Sequence, residues 1–295
     1  MELFRVLAFL AETPTSAHVA AAQAVGLGVM PDEVDYTECF LFQFSPYASI
    51  YLGPEGMLGG VARDRIGGFW RALGLTPPNE PDHLTVMLAF YTSLAEHENA
   101  VHDETLQYKW RAARHAYLWE HLMPWLPAYL SRIQESGPTF YQRWAALAQA
   151  VLVSESETVE TPERLPLHLR EAPPAPEING LQLEQLIRWL LTPLNSGMIV
   201  ARQDCVEAAG ALGLGMRTGD RRLMLRTLLE QDAAKTLGWL AEEARLWETR
   251  HRQLPGGPIA VWWAERSHSA AQFLDALQHT AHTQAPHAAS LSYVS

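Results

Sequence analysis

The chain has 295 residues, of which 48% are apolar, and it contains 10 Trp, 9 Tyr and 9 Phe. This composition can fill one large core or two modest ones, which excludes a disordered chain. With 33 acidic and 22 basic side chains, the formal net charge is −11. A field of this sign repels phosphate backbones and attracts cations, so the charge disfavours nucleic acid and favours a basic peptide as partner.

The two cysteines, Cys39 and Cys205, lie far apart and outside any CxxC or Cys/His ligand pattern. We therefore expect neither a disulfide framework nor a structural zinc site, and no tightly bound metal. No apolar stretch reaches the roughly 18 residues that span a bilayer. The apolar N-terminus is a poor signal peptide, because Glu2 stands where positive charge is expected and Arg5 interrupts the stretch. An amphipathic first helix and a cytoplasmic protein are predicted.

Apolar residues with helical spacing dominate the first half of the chain, and the alternation typical of strands is scarce. In the segment 82–99, Leu84, Met87 and Leu88 begin a series at i, i+3 and i+4. The helices predicted in this half cover residues 1–12, 16–26, 31–43, 60–74, 82–99, a long segment from 106 to 129, and 138–152. The pattern predicts an all-α fold.

The character of the chain changes between Ser154 and Glu177, where five prolines and six glutamates occur. Such a stretch buries little apolar surface, so an extended linker is predicted. Further helices are predicted at 183–191, 202–213, 219–231, 233–252 and 259–281. We therefore predict a helical domain at 1–153, a linker at 154–177, a C-terminal helical region at 178–282 and a flexible tail at 283–295. A long linker also permits two chains to exchange domains and form a homodimer.

The first informative segment runs from Tyr36 to Gly56, where a helix ends at Pro46 and an aromatic-rich stretch follows it. We expect an irregular loop here. Loops are usually polar, so Tyr47 and Tyr51 must either anchor the loop to the core or line a binding surface.

The second segment is the proline-bounded turn 77–83, which contains three prolines. The prolines prevent a helix before Asp82, which can then serve as the N-cap of the next helix. His83 would lie in the first helical turn, where the helix dipole disfavours its protonation.

The third segment is His121-Leu-Met-Pro124-Trp125-Leu-Pro127, inside the long helix predicted at 106–129. Each proline removes an intrahelical donor, so the helix must break or bend here, with Trp125 at the bend.

In this order and spacing, the three segments resemble the TorD/DmsD/NarJ family of molybdoenzyme chaperones over roughly residues 1–153. That family has a P-x-x-S-x-[YW]-L loop, an E-x-P-D-H or E-P-x-D-H turn, and an H-L-x-P-W-x-P helix. The matching residues are Pro46, Ser49, Tyr51 and Leu52; Pro81, Asp82 and His83; and His121, Pro124, Trp125 and Pro127. The turn departs from the family pattern, because Asn79 stands where Glu is usual and Glu80 follows one position later.

The resemblance implies a TorD-like helical bundle without catalytic activity or a cofactor. It implies binding of the twin-arginine signal peptide, or the apo-form, of a molybdopterin oxidoreductase before cofactor insertion and export. The peptide-binding residues predicted on this basis are Tyr47, Ser49, Tyr51, Asp82, His83, His121 and Trp125. A leader with two guanidinium groups and an apolar stretch needs carboxylates beside an aromatic groove. Asp82 is the candidate for the arginines, and Tyr47, Tyr51 and Trp125 for the apolar part.

Four arginines lie between Arg217 and Arg226, in a chain that is otherwise acidic. They form either a solvated helix face, with Asp220 as its cap, or a contact site for an acidic surface. No motif decides between the two.

Two other functions compete with the chaperone. His102-Asp103, with His97 nearby, is similar to the His-Asp pair of metal-dependent phosphohydrolases, but no second ligand signature accompanies it. A generic helical scaffold without an export role is the other alternative.

Overall fold

The computed structural model describes the backbone of residues 1–289 and the side chains of residues 1–280. It is 70% helical, and the described backbone contains no strand, only an isolated bridge between Tyr47 and His83. The predicted all-α class is therefore confirmed. The chain forms two compact units, Met1–Glu171 with Leu254–Ile259, and Ala172–Gln253 with the chain from Ala260 onward.

The first unit holds ten helices within the described backbone. They are α1 Glu2–Leu10, α2 Ser16–Ala24, α3 Glu33–Tyr36, α4 Ala48–Leu52, α5 Gly60–Ala72, α6 Leu84–Ala100, α7 Glu104–Tyr117, α8 Leu126–Ser136, α9 Thr139–Glu157 and α10 Leu167–Arg170. Two of them continue as π-helix, α3 over Thr37–Gln43 and α7 over Leu118–Leu122. Helix α1 packs against α6 and α9, α6 packs against α7, and α8 packs against α9.

The predicted break in the segment 106–129 is confirmed. Helix α7 ends at Tyr117, its π-helical continuation ends at Leu122, and α8 begins at Leu126. Pro124 lies between them and has no N–H to donate. Pro127 lies in the first turn of α8, where the N–H has no intrahelical acceptor.

The expectation of an irregular loop at 46–56 is wrong in part, because α4 lies within it. All five residues of α4 are buried, and the helix packs against α5. Tyr51 is therefore a helical residue. A helix of this length is too short to show a periodic pattern in sequence, and tertiary packing stabilises it.

Aromatic side chains fill the core of the first unit. The largest of those that are fully buried are Trp125, Trp144, Tyr91, Tyr117, Tyr129, Tyr141, Phe40, Phe44 and Phe140. Several of their polar tips are hydrogen-bonded to main-chain oxygens: Trp144 Nε1 donates to Leu7 O at 3.1 Å, and Tyr129 OH donates to Phe44 O at 3.0 Å. The core can therefore bury these side chains without leaving those donors unpaired.

The segment predicted as a linker has its own contacts in the first unit. Residues 154–157 continue α9, and α10 follows at Leu167–Arg170. The Leu167 N–H donates to the Glu120 carboxylate at 2.9 Å, and His168 and Leu169 are buried. The two units divide at Glu171, while the boundaries of 154 and 177 stay a prediction.

The second unit contains the helices of the C-terminal part. They are α11 Leu183–Leu190, α12 Pro193–Ser196, α13 Arg202–Leu212, α14 Arg221–Gln231, α15 Ala233–Gln253 and α16 Pro258–Ala289, the last of which begins in the first unit. The tail predicted at 283–295 lies outside the residues whose side chains are described, and residues 290–295 lie outside the described backbone.

Gly197 shows why the second unit needs glycine at one position. Its φ is +75°, and a Cβ atom there would come within 2.4 Å of Ser267 Oγ. Its carbonyl oxygen accepts a hydrogen bond from Ser267 Oγ and lies 2.8 Å from His251 Nε2. Only glycine allows α12 to end in such close contact with α15 and α16.

Candidate functional site

The aromatic stretch and the proline-bounded turn lie side by side in the first unit. The Ala48 N–H donates to Asp82 O at 2.9 Å, and the Leu84 N–H donates to Pro46 O at 2.8 Å. These two hydrogen bonds form the isolated antiparallel bridge between Tyr47 and His83. Two motifs that are far apart in sequence thus form one local structure.

His83, not Asp82, is the N-cap of α6, so the prediction for Asp82 is wrong. The His83 Nδ1 accepts a hydrogen bond from the Thr85 N–H at 3.3 Å. A ring nitrogen can accept only in the neutral imidazole. Burial lowers the pKa of His83, which favours that form, although the nearby carboxylates oppose the shift. Asp82 lies one position before this cap, where its carbonyl oxygen accepts the hydrogen bond from the Ala48 N–H.

Tyr47 lies over the turn and holds one of its carboxylates. Its hydroxyl donates to Glu80 Oε2 at 3.1 Å, and its ring meets the His83 ring edge-to-face at 4.8 Å. Burial, together with the Glu80 carboxylate, raises the pKa of Tyr47 to about 12. The phenol therefore remains a donor at neutral pH and fixes the position of the Glu80 carboxylate.

A cavity of about 250 Å³ lies between this turn and the start of α5. It is lined by Tyr47, Leu58, Gly59, Arg63, Asn79, Glu80 and Asp82. Two carboxylates and one guanidinium group face it, so its charge is net negative. Arg63 donates to Asn79 O at 2.7 Å, which ties α5 to the turn.

The two carboxylates of the cavity differ in access. Asp82 is 1% exposed, and its Oδ2 is buried without a hydrogen bond. Glu80 is exposed. The predicted set of site residues therefore omitted Glu80, which is the accessible carboxylate. Glu80 stands one position later than the glutamate of the family pattern, and this difference was the signal for it in the sequence.

One apolar side chain, Leu58, lines the cavity, and two neighbours in sequence are exposed apolar side chains. Met57 and Leu58 are each 60% exposed, and Val61 is 44% exposed. They lie where the loop after α4 enters α5, and Leu58 lines the cavity itself. The sequence prediction named none of the three, because exposure of a loop side chain cannot be read from sequence.

Three predicted site residues are buried: Ser49 and Tyr51 in α4, and Trp125 just before α8. Ser49 Oγ accepts a hydrogen bond from the Gly59 N–H at 3.2 Å. Tyr51 stacks on Trp125 with ring centroids 5.3 Å apart, and its hydroxyl donates to Ser45 O at 2.9 Å. These three side chains therefore support the chain around α4 from within the core. None of them lines the cavity.

His121 is also buried and does not line the cavity. Its ring lies against Phe69, Tyr117 and His168. Burial, followed by the charges of His168 and Arg65, lowers the pKa of His121 to about 3. The imidazole is therefore neutral at physiological pH.

The His-Asp pair has a structural explanation. Asp103 is the N-cap of α7 and accepts from the Leu106 N–H at 2.8 Å, and the His97 ring packs on Trp110. Among the described residues there is no group of three or more His, Cys, Asp or Glu that could hold a metal ion. No geometry in this region favours the phosphohydrolase alternative.

The arginine cluster belongs to the second unit. Asp220 is the N-cap of α14, as predicted, and accepts from the Leu223 N–H at 2.8 Å. Arg221 donates to Val200 O at 3.0 Å, and Arg226 forms an ion pair with Glu184. At least these two arginines make contacts within their own unit.

Among the described residues, none of the helices combines the length and the apolar character needed to cross a bilayer.

The motifs around the cavity lie within a part of the chain that matches a known protein family. The profile of the family described as nitrate reductase delta subunit matches residues 31–131, which include both motifs around the cavity and the His121–Pro127 segment. The chaperone protein TorD of Vibrio vulnificus (strain YJ016) is 32% identical over 94 residues, covering 30% of this chain and 44% of that protein. The chaperone protein TorD of Shewanella pealeana is 29% identical over 143 residues, covering 43% of this chain and 60% of that protein.

The chain thus spans about half the length of the curated relatives that it matches. The matched segment lies entirely within the first unit. Over residues 31–131 the chain is thus similar to the nitrate reductase delta subunit family, and over 94 to 143 residues it is similar to TorD chaperones.

Proposed function

We propose that this protein is a maturation chaperone that binds the twin-arginine leader, the apo-form, or both, of a molybdopterin oxidoreductase before cofactor insertion and export. The match to the nitrate reductase delta subunit family and the similarity to TorD chaperones support this proposal. The function requires recognition and no catalysis. It places the protein in the cytoplasm, where a leader is present before export.

The observation that carries the proposal is the acidic turn beside exposed apolar side chains. A twin-arginine leader joins two guanidinium groups to an apolar stretch. The Glu80 carboxylate, held by Tyr47, can accept hydrogen bonds from one guanidinium group. Leu58 lines the same cavity, and Met57 and Val61, close to it in sequence, are exposed apolar side chains. We propose that this cavity binds the arginine pair and that its edge binds the apolar stretch.

Asp82 contributes to this site in a different way. Its carboxylate is buried, lines the cavity and has an oxygen without a hydrogen bond. A guanidinium group that enters the cavity would give this oxygen a partner. Its burial makes such a hydrogen bond stronger than one at the surface, because water competes less for it.

Among the described residues that line the cavity, Arg63 is the only cation, and it opposes the binding of arginine. Its hydrogen bond to Asn79 O keeps it at the α5 side of the cavity. We expect Arg63→Gln to preserve or strengthen leader binding, because the variant removes a like charge and keeps a donor for Asn79 O.

The test is a calorimetric titration with a synthetic twin-arginine leader of a molybdopterin oxidoreductase from the same organism. A charge-assisted hydrogen bond contributes about 1.5–3 kcal/mol, so Glu80→Gln should weaken binding by roughly ten- to hundredfold. Asp82→Asn should weaken it similarly, because it removes the charge and keeps the volume. Glu163→Gln, which removes an exposed carboxylate in the stretch after α9, is the matched control and should bind like wild type.

A second ligand separates specific recognition from attraction to an acidic protein. A leader whose two arginines are replaced by glutamine should bind wild type and Glu80→Gln equally weakly. The proposal fails if wild type does not bind the twin-arginine leader. The assignment of the cavity fails if folded Glu80→Gln and Asp82→Asn both bind it with unchanged affinity.

A further inference from the structure

A second and larger cavity, of about 500 Å³, lies within the first unit. Its volume falls in the range of roughly 300–1,000 Å³ that is typical of pockets for small molecules. Three parts of the first unit line it: Trp119 in the π-helical continuation of α7, residues 153 and 156–161 at the end of α9, and residues 255–257 between α15 and α16. None of these described residues lines the cavity at Glu80. We name this second space the α9 cavity.

Contacts within the chain hold two walls of the α9 cavity in place. At the end of α9, the hydroxyl group and the N–H of Thr158 both donate to Glu155 O, at 2.8 Å and 3.0 Å. In the segment 255–257, Gly256 has a φ of +116°, and a Cβ atom there would lie 3.4 Å from Met123 Cε. The Gly256 backbone thus lies against a buried side chain of the first unit. The cavity is therefore formed by the folded chain before any ligand enters it.

The charge of the α9 cavity is negative. Glu157 and Glu160 line it, and both are exposed. Among the described residues that line this cavity, none is basic. The last turn of α9 also carries no basic residue, although the helix dipole favours cations at this end. The cavity therefore attracts a cation and repels phosphates and carboxylates.

Trp119 brings an unpaired hydrogen-bond donor to the same cavity. The side chain is 5% exposed, and its Nε1 is buried without a hydrogen bond. An indole N–H can only donate, so it needs an acceptor, and buried polar groups almost always have a partner. Since the two glutamates repel an anion, the acceptor that fits is an uncharged oxygen. The cavity thus combines one requirement for a cation with one for a neutral acceptor.

We infer that the α9 cavity binds a small primary amine in its ammonium form with a carbonyl oxygen beside it, the chemistry of an amino-acid amide. The ammonium group binds the carboxylates of Glu157 and Glu160, and the carbonyl oxygen accepts from Trp119 Nε1. Arginine and lysine side chains have no such oxygen, so the ligand differs in chemistry from the arginine pair of a leader. The inference does not rest on the function proposed above.

The test is a titration of the full chain with L-alaninamide, followed by the ¹H–¹⁵N NMR signals of the indole N–H groups. The Trp119 signal, identified by its loss in Trp119→Phe, should shift saturably as its N–H gains an acceptor. Ethylamine has no carbonyl group and N-acetylalaninamide has no ammonium group, so each should bind at least about tenfold more weakly. An α-amino group loses its proton near about pH 8, and alaninamide binding should weaken above that pH.

Variants test the two carboxylates. The double variant Glu157→Gln, Glu160→Gln should weaken alaninamide binding by about tenfold or more, because it removes both negative charges from the cavity. The double variant Glu163→Gln, Glu177→Gln makes the same change in net charge at two exposed side chains that do not line the cavity, and it should bind like wild type. All four glutamates are exposed, so both variants should fold normally.

The indole donor is tested with Trp119→Phe, which keeps an aromatic ring and removes the N–H. It should weaken alaninamide binding several-fold. Trp189→Phe is the matched control, because Trp189 Nε1 is also buried without a partner but lies in the second unit, and binding should stay unchanged. If Trp119→Phe does not fold, the three probes and the glutamate variants still decide the matter.

Three results would each overturn the inference: no saturable binding of alaninamide, equal binding of ethylamine, or unchanged affinity of the Glu157→Gln, Glu160→Gln variant. The source of the ligand is distinguished by the amide of trialanine. Equal affinity for both amides supports a free small molecule, and tighter binding of the longer one supports the first residue of a polypeptide. Glu80→Gln should leave alaninamide binding unchanged, which keeps this site separate from the leader site.

Discussion

The hydroxyl group of Tyr47 donates a hydrogen bond of 3.1 Å to the carboxylate of Glu80, 33 residues later in the chain. This contact joins the aromatic loop to the acidic turn at the rim of the cavity. It orients the accessible carboxylate of the site and keeps its side chain from sampling other rotamers.

Tyr47→Phe removes this hydrogen bond and keeps the ring against His83. A hydrogen bond of this kind contributes about 0.5–1.5 kcal/mol, or about 1.5–3 kcal/mol when one partner is charged. We expect leader affinity to fall by a few-fold to tenfold, which is less than for Glu80→Gln. Calorimetry on both variants and on the double variant measures the coupling. Additive losses in the double variant would show that Tyr47 does not act through Glu80.

Trp125→Ala should destabilise the first unit. The indole is 1% exposed and stacks on Tyr51, so its removal leaves a large cavity that costs about 3–5 kcal/mol. Tyr108→Ala, which truncates an aromatic side chain that is 68% exposed, should change stability by no more than about 0.5 kcal/mol. Urea unfolding followed by circular dichroism measures both. A Trp125→Ala variant of normal stability that had lost leader binding would instead make Trp125 a peptide contact.

Acidification should destabilise the first unit through two histidines. Burial, followed by the charge of Arg65, lowers the pKa of His168 to about 4, and burial lowers that of His121 to about 3. The unfolded chain takes up these protons near pH 6.5, whereas the folded chain does not. The unfolded state therefore binds more protons between pH 6.5 and about 4. As the pH is lowered through that window, the free energy of unfolding decreases by roughly 1.4 kcal/mol per pH unit for each histidine.

The measurement is the urea midpoint at a series of pH values from about 7.5 to about 5; the midpoint should change little above about pH 6.5 and fall below it. His168→Gln, which cannot take up the proton, should show a shallower fall than wild type. His251 in the second unit, whose pKa burial lowers to about 4, acts with the same sign in both proteins and so cancels from the comparison. Parallel curves for wild type and His168→Gln would contradict the prediction.

Limited trypsin digestion should cut first after Arg164. The stretch Glu160–Arg164 is exposed and has no helical hydrogen bonds, so a protease can bind it with little local unfolding. The cut should separate residues 1–164 from the rest of the chain. Its position lies inside the linker predicted at 154–177. Arg164→Gln should slow the first cut. A first cut within α5 to α8 would show that the helices of the first unit open before this segment does.

The residue sequence by itself determined the fold class and most of the helices. Apolar residues at helical spacing are a local property, so α6, α13 and α14 could be placed within a few residues of their observed ends. The break at Pro124 follows from a missing N–H, which is also local. The short buried helix α4 could not be found in this way, because its stability comes from packing against α5 and leaves no periodic signal.

For the candidate site too, the sequence predicted one part and the tertiary structure decided another. The sequence marked the stretch 46–52 and the turn 79–83 as informative and drew attention to Tyr47, Asp82 and His83. Only the tertiary structure decided that Glu80 is the accessible carboxylate, that Asp82 is buried, and that Ser49, Tyr51, His121 and Trp125 lie in the core. Burial depends on which elements pack over a side chain, and those elements come from distant parts of the chain. A motif therefore identifies residues that act together, while packing decides which of them reach the solvent.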